Sequence, residues 1–287
     1  MSLLVPSIAS ANPAQPLQGT LERVYIQWLQ SMIQKDVAAW ARVTSRYRQM
    51  CLRNQVVSLK QPWPRAVFTA FFQPPDLAQL KFIDVAESGA EGRLVYFGRV
   101  DFGFVEGEIT PENPLMLHFL KEEGTWKFNS IQYVNLGPDN VLKREIRAGD
   151  RAWLQRDDFL LDPTPRIIPK PCAEPYQVGN LSVIAHGCRV DIEVNGGPHR
   201  ETLENTNSDI IIIGGLRKGA NKITVWPTLR PIGQPGPPRL EIVVLARTGN
   251  PVRPIARLLS WKIPQEKWKE SYDLGVWLKS ASSLSGP

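Results

Sequence analysis

Apolar positions in the first part of the chain repeat first at helical spacing and then at strand spacing. Between Leu21 and Ile33 they recur every three or four residues, as on one face of a helix. Asp36 can cap a second helix over residues 37–43, because its side chain can accept bonds from free N–H groups of the first turn. Alternating apolar residues then predict four strands joined by turns. These strands are residues 80–87, 93–102, 115–121 and 126–134.

This order of elements predicts an α+β domain over residues 17–138, with the helices packed on one face of an antiparallel sheet. Residues 1–16 precede it as a leader. Residues 139–175 form a charged and then proline-rich connector, with one or two short helices lying across both domains. Seven short strand signals follow in residues 176–287, separated by Gly, Pro and Asn turns, and they predict an all-β sandwich.

Two phrases of the first domain carry a resemblance to a known superfamily. They are MIQKDVAAW between the helices and FLKEEGTWKF in the last hairpin. Over residues 17–136 the chain resembles the SnoaL-like superfamily, which has the cone-shaped fold of nuclear transport factor two and ketosteroid isomerase. The resemblance implies a curved sheet covered by helices. Members include isomerases, dehydratases, hydrolases and non-catalytic binding or assembly domains, so the fold alone does not select a function.

The pleat of the last hairpin predicts which side chains face the helices. With a four-residue loop at 122–125, Phe119 pairs with Phe128 on the more apolar side, which should meet the helices. The same alternation turns Tyr96 inward. The candidates to line a pocket in the cone are Tyr25, Tyr96, Trp126, Ser130 and Gln132. None is a carboxylate or a histidine, the groups that acid–base catalysis generally uses, so the enzyme interpretation is weakened.

The opposite side of this sheet is a mixture of polar and apolar residues, and the register pairs His118 with Asn129 there. Such a face can meet a second copy in a homodimer, meet the C-terminal domain, or face water. The candidates for an interface are Arg99, Asp101, His118, Asn129 and Tyr133. A bulge would reverse the assignment beyond it and bring Asp101 or His118 inside.

The segments VDIEVNGG and LRKGANKITV resemble accessory sandwich domains of jelly-roll or immunoglobulin-like type in secreted bacterial proteins, some of which bind carbohydrate. Carbohydrate binding needs an exposed aromatic platform. Trp226, Trp261 and Trp277 stand in apolar strands and are expected in the core, which leaves Trp268 in QEKWKE as the platform candidate.

Composition and charge describe a globular protein without a signal for nucleic acid. The formal net charge is +6 and its excess falls in residues 176–287, where Lys and Arg are scattered singly rather than gathered into a stripe. No stretch of ~20 apolar residues predicts a membrane span. Cysteine and histidine spacings do not match structural zinc sites, and no phosphate-binding loop is present, so neither a metal nor a cofactor is predicted.

The first residues and the cysteines bear on localisation. MSLLVPSIASANPAQP contains Ala9-Ser10-Ala11, a pattern like a signal-peptidase site, and is either the remnant of a signal peptide or a plain leader. Export to the periplasm or the exterior would allow Cys172 and Cys188 to form a disulfide. The alternatives are a cytoplasmic protein and three unlinked thiols.

Together these patterns favour a non-catalytic, exported two-domain protein that binds or assembles, with a small apolar ligand or a carbohydrate as its ligand. The alternative is a small-molecule enzyme, an isomerase, dehydratase or hydrolase, that acts in the N-terminal cone.

Overall fold

The computed structural model combines helices with two antiparallel sheets, a mixed α+β architecture. The chain divides into two compact units, one of residues 1–49 and 68–167, the other of residues 50–67 and 168–287. The chain enters the second unit at residue 50, returns to the first at residue 68, and crosses to the second again at residue 168, inside the predicted proline-rich connector. The described residues are 14–69, 75–100, 112–134, 136, 141–156, 159–197, 199–229, 237–263 and 268–278.

Three helices open the described chain: α1 (Ala14–Gln34), α2 (Val37–Val43) and α3 (Arg46–Ser58). Asp36 caps α2 as predicted, since its carboxylate accepts the Ala39 N–H at 2.9 Å. The sequence pattern did not predict α3. Its residues from 50 onward belong to the second unit, although they precede the first sheet in the chain.

The first sheet has four antiparallel strands in chain order and agrees with the strands predicted from alternation. They are β1 (Lys81–Ser88), β2 (Glu91–Arg99), β3 (Glu112–Glu122) and β4 (Thr125–Tyr133). The inner face of this sheet packs against α1. Phe128 stacks on Trp28 with ring centroids 4.0 Å apart, so the last hairpin lies under the first helix as its apolar side predicts.

The register of this hairpin departs from the prediction at one point. The expected pairing holds from the turn to Phe119 and Phe128. A bulge at Asn129 then shifts the register by one residue, so His118 pairs with Ser130 and not with Asn129. The bulge residue turns inward, where its side-chain oxygen accepts a hydrogen bond from the buried Ser45 hydroxyl at 2.8 Å. Such an extra residue reverses every later side chain on its strand.

The bulge corrects two predicted pocket residues and two predicted interface residues, of which Asn129 is the bulge itself. Ser130 and Gln132 pair with His118 and Met116, which places them on the outer face of the sheet rather than the inner one. Tyr133 pairs with Leu115 and joins the inner face. The predicted inward positions of Tyr96 and Trp126 are unaffected, since both lie outside the shifted part of the register.

The outer face of the first sheet is covered by the chain that follows it. Helix α4 (Val141–Arg147) and a short 3-10 turn at Ala152–Gln155 are the predicted short connector helices, but both belong to the first unit rather than to both domains. Val95 and Met116 of the sheet pack with Ile146, Trp153, Leu154 and Phe159 in one buried cluster. The covered area is therefore not open to a second copy, which was one of the alternatives for this face, because the protein's own chain fills it.

The second sheet has six antiparallel strands and curls upon itself. They are β5 (Gly179–Val194), β6 (Arg200–Ile211), β7 (Gly219–Leu229), β8 (Arg239–Arg247), β9 (Ile255–Lys262) and β10 (Tyr272–Leu278). The order is β10-β7-β5-β8-β9, with β6 paired to β5. The Trp261 and Tyr272 rings of β9 and β10 are 4.9 Å apart, so the two ends of the sheet come together in a nearly closed barrel.

A bend in β5 makes this curl. Gly187, at a φ of +65° that favours glycine, lies in a bulge between Ala185 and Arg189. Before the bend β5 pairs with β8, and after it with β7. The two strands predicted at 181–185 and 189–194 are therefore one bent strand, whose inward residues form the core from Leu181 to Ile192.

The predicted disulfide is not formed: none of Cys51, Cys172 and Cys188 is in a disulfide. Cys172 is buried beside α3, where its N–H donates to the Asn54 side chain at 2.9 Å. Cys188 is buried in the core of the second sheet. The argument for export that rested on this bond is lost.

Candidate functional site

Titratable groups meet on the inner side of the first sheet. The Tyr96 hydroxyl donates to a carboxylate oxygen of Glu22 at 2.6 Å, and the Gln18 amide donates to the same oxygen at 2.8 Å. Burial, and then the hydrogen bond and charge of Glu22, raise the pKa of Tyr96 far above its ordinary value. The sequence interpretation missed Glu22, which follows Leu21 at the margin of the apolar stripe of α1. Glu22 puts a carboxylate beside a predicted pocket residue.

The other inner candidates take part in packing. Tyr25 is fully buried and donates its hydroxyl to the Pro75 carbonyl at 2.6 Å. Burial, with the charge of Asp76 second, raises the pKa of Tyr25. Trp126 lies against Gly92, where an added Cβ would stand 2.9 Å from the indole ring. A side chain at Gly92 would therefore collide with this tryptophan.

A polar network lies on the outer face of the same sheet, and we call it the strap network. It joins Glu91 of β2, His118 of β3 and Gln132 of β4. The imidazole of His118 is 3.3 Å from Glu91 through Nδ1 and 3.0 Å from the Gln132 amide oxygen through Nε2. Only 5% of the Glu91 side chain and 14% of the His118 side chain are exposed. A carboxylate and a histidine thus meet, but on the face opposite α1.

Residues 159–166, the strap, cover this network. The Asp162 N–H donates to Glu91 at 3.1 Å, and the Arg166 guanidinium lies 3.5 Å from the other oxygen of the same carboxylate. Arg93, next but one on β2, donates to the Phe159 carbonyl. Neighbouring groups of the first unit therefore hold the strap at both of its ends.

These contacts change the acidity of Glu91. Burial alone would raise its pKa, but the hydrogen bond from His118, the positive charge of Arg166 and the Asp162 N–H outweigh burial and lower it. The surroundings of Glu91 therefore favour its ionised form over its protonated form. Such a lowered pKa is found in structural ion networks as well as in functional sites, and the contacts of each atom distinguish the two.

The remaining interface candidates are dispersed. Arg99 is exposed at the end of β2, and Asn129 is buried at the bulge. Tyr133 accepts a hydrogen bond from the Asn113 amide at 2.9 Å. Asp101 lies outside the described residues. These side chains do not form one surface in the part of the chain that the structure describes.

The turn of the last hairpin borders an open groove of about 410 Å³. Its acidic residues serve the fold. Glu122 accepts the Arg46 N–H at the start of α3 at 2.8 Å, and the Arg46 side chain pairs with Glu122 and Glu123. The groove is lined by Ala41, Arg42, Thr44, Arg46, Gln49, Glu122, Glu123, Thr125 and Lys127.

The second unit presents a different surface, the outward side of β6, β5, β7 and β10, which we call the open face. Inward residues such as Val225 and Val276 form the core, so the alternate residues point away from it. Three opposite-charge pairs lie on this face, joining Arg189 to Asp191, Arg200 to Glu193 and Lys222 to Asp273.

Two tryptophans stand on the open face. Trp277 is 68% exposed, and Trp226 lies under the guanidinium of Arg200, 4.0 Å from the ring centroid. The platform candidate Trp268 instead packs against the core of the second sheet, with its indole nitrogen buried. Choosing Trp268 as the exposed tryptophan was therefore wrong. In YDLGVWL the strict alternation of Leu274, Val276 and Leu278 was the signal that turns Trp277 outward.

Comparisons with protein-family models, with curated proteins and with solved structures gave no significant match. In the described chain no cluster of His, Cys, Asp or Glu could hold a metal ion, and none of the described helices combines the length and apolarity needed to cross a membrane. Three arrangements therefore bear on function: the Glu22–Tyr96 pair, the strap network and the open face.

Proposed function

We propose that this chain is a non-catalytic binding protein made of an α+β cone and an all-β unit, and that its ligand surface is on the all-β unit. The observation that carries the proposal is the open face, where Trp277 is 68% exposed on a regular strand. A large aromatic side chain left in water beside ordered polar groups is the composition of a binding surface.

The strap network supports the same proposal because its hydrogen-bonding groups already have partners within the protein. A general acid or base has to reach the substrate with a free proton or lone pair. Both ring nitrogens of His118 are within contact of protein side chains, and both carboxylate oxygens of Glu91 have partners in the strap or on β3. This pair holds the fold of the first unit and has no group left for a substrate.

The second candidate function is an enzyme that acts at Glu22 and Tyr96. The 2.6 Å hydrogen bond between them favours it, since it puts a carboxylate and a phenol together on the inner side of the cone. Glu22 would be the proton acceptor and Tyr96 the hydrogen-bond donor that orients it.

One experiment separates the two functions. The full chain is incubated with small apolar compounds and with soluble polysaccharides; binding is detected by thermal shift and chemical conversion by mass spectrometry. We expect at least one bound compound to be recovered unchanged.

Glu22→Gln, which keeps the size of the side chain and its ability to accept from Tyr96, is the matched variant. We expect it to bind as the wild type does. Product formation by the wild type that is lost in Glu22→Gln would replace the binding proposal with the enzyme.

A further inference from the structure

The open face has a long axis that runs between its two tryptophans. Trp277 pairs across the sheet with Ala220, and Trp226 is six residues further along the same strand, on the same side. At the rise of an antiparallel strand, six residues span about 20 Å. The two indoles therefore stand at opposite ends of a track along β7 and β10, long enough for an extended ligand.

Polar groups line this track between the indoles. Thr224 donates to Asp273 at 3.0 Å, and the Lys222 ammonium is 2.9 Å from the same carboxylate. Beside them Gly275 leaves open space, with no atom within 4 Å of the position of a Cβ. Hydrogen-bond donors and acceptors are thus held in fixed positions next to a shallow opening.

The charges of the open face select against charged polymers. A nucleic acid or a polyanion is held by cations that are free to pair with phosphate or sulfate. Here Arg189, Arg200 and Lys222 each face a carboxylate of the same surface. A cation and a carboxylate paired in this way have little net charge, so this face offers little attraction to a polyanion or to a polycation, and a neutral ligand fits best.

Trp277 adds an apolar surface to this polar track. Its ring lies 3.9 Å from the position that a Cβ of Gly219 would take, which is an ordinary contact distance, so the indole rests beside the start of β7. A sugar ring has an apolar face of C–H groups and a rim of hydroxyls, which matches an indole next to hydrogen-bonding side chains.

We infer that the open face binds a neutral oligosaccharide chain along β7 and β10, stacked on Trp277 and hydrogen-bonded by Lys222, Thr224 and Asp273. Trp226 and its covering Arg200 form the far end of the track. This inference rests on the proposed function, since it names the ligand class of the proposed binding surface.

The test is affinity electrophoresis of the full chain in native gels that contain mixed-linkage β-glucan, xyloglucan, galactomannan or dextran. We expect at least one of these neutral polysaccharides to retard the protein, and heparin or DNA not to do so. Trp277→Ala should weaken the affinity by about tenfold or more, as truncation of a central aromatic contact does.

Two further variants complete the test. Leu229→Ala removes an exposed apolar side chain at the end of β7, 50% exposed, and should leave the retardation unchanged. Asp273→Ala breaks the polar track and should weaken binding without altering the unfolding transition, because this residue is exposed.

Retardation by none of the neutral polysaccharides would overturn the inference. Retardation that persists in Trp277→Ala would overturn the choice of face while leaving a binding function in place. A dimer in gel filtration that Trp277→Ala converts to a monomer, without polysaccharide binding, would make this face a contact between copies and would also overturn the inference.

Discussion

Two sheet faces of this protein have a similar composition, but one is buried under the connector and the other is exposed. The outer face of the first sheet mixes Val95 and Met116 with Glu91, Arg93 and His118, and the connector buries all of them. The open face of the second sheet also mixes aromatic and charged residues, but nothing in the described chain of its own unit covers Trp277. A half-polar sheet face is therefore not by itself a sign of a binding surface.

The difference lies in what the polar groups contact. On the covered face Glu91 and Arg93 bind backbone groups of residues 159–162. These two polar side chains therefore hold another segment of the first unit in place. On the open face the charged residues contact side chains of the same face, along and across neighbouring strands. Buried polar groups need such partners because an unpaired one costs free energy, whereas exposed ones can turn to a ligand.

The largest effect is expected from removing the tryptophan that covers the first sheet. Trp153 is 1% exposed and packs edge-on against Phe159, 5.0 Å between ring centroids. Trp153→Ala should lower the free energy of unfolding by about 3–5 kcal/mol, as large aromatic truncations in cores do. Urea denaturation measures it.

The matched variant is Trp277→Ala on the open face. Its side chain is already in water, so the free energy of unfolding should change by less than about 0.5 kcal/mol. Equal losses at the two tryptophans would end the comparison between a covered and an open face, and with it the reason to place a ligand on the second sheet.

The next effect concerns the carboxylate under the strap. Glu91→Gln keeps the size of the side chain but removes the charge that faces Arg166 and His118, and should destabilise by about 1–3 kcal/mol. Glu241→Gln is the control, because Glu241 also faces two cations, Arg239 and Lys262, but on the surface of the second unit. There we expect less than about 1 kcal/mol.

The pH dependence of stability, compared between wild type and Glu91→Gln, sharpens this result. The pKa of Glu91 is lowered from 4.5 in the folded protein, so its contribution is fully present above pH 4.5 and is lost as the pH falls through the folded value. Wild type should therefore lose more stability than Glu91→Gln between neutral pH and the acid range below 4.5. Parallel losses in the two proteins would show that Glu91 does not hold the strap through its charge.

Regular alternation and helical periodicity could be predicted from the sequence where one face is apolar. Helix α2 with its Asp36 cap and the four strands of the first sheet follow directly from such patterns. Most of the polar strand β6 was not predicted, because ETLENTNSD has too few apolar residues to show the alternation that marks a strand. It pairs only with β5, at an edge of the sheet, where a polar sequence is tolerated.

The site was harder to predict because single residues decide it. One bulge at Asn129 moved Ser130 and Gln132 to the other face, and no local pattern marks that extra residue. The covering of Glu91, the partner of His118, depends on Asp162 and Arg166, which are over 70 residues away in the chain. Trp277, by contrast, was accessible to sequence reasoning, since its alternation with Val276 and Leu278 was intact.

The smallest effect tests the assignment of the two sides of β5. Cys188 points into the core, while its neighbour Arg189 stands on the open face.

Burial, with the charge of Glu204 second, raises the pKa of the Cys188 thiol to about 11, so this side chain has little thiolate at neutral or mildly alkaline pH. Native protein treated with iodoacetamide at mildly alkaline pH should therefore be alkylated at Cys51, which is partly exposed, long before Cys188. In urea without reductant all three thiols should react, since none of them is in a disulfide. Rapid native alkylation of Cys188 would mean that β5 is shifted by one residue, which would turn its core side chains outward and remove Arg189 and Asp191 from the open face.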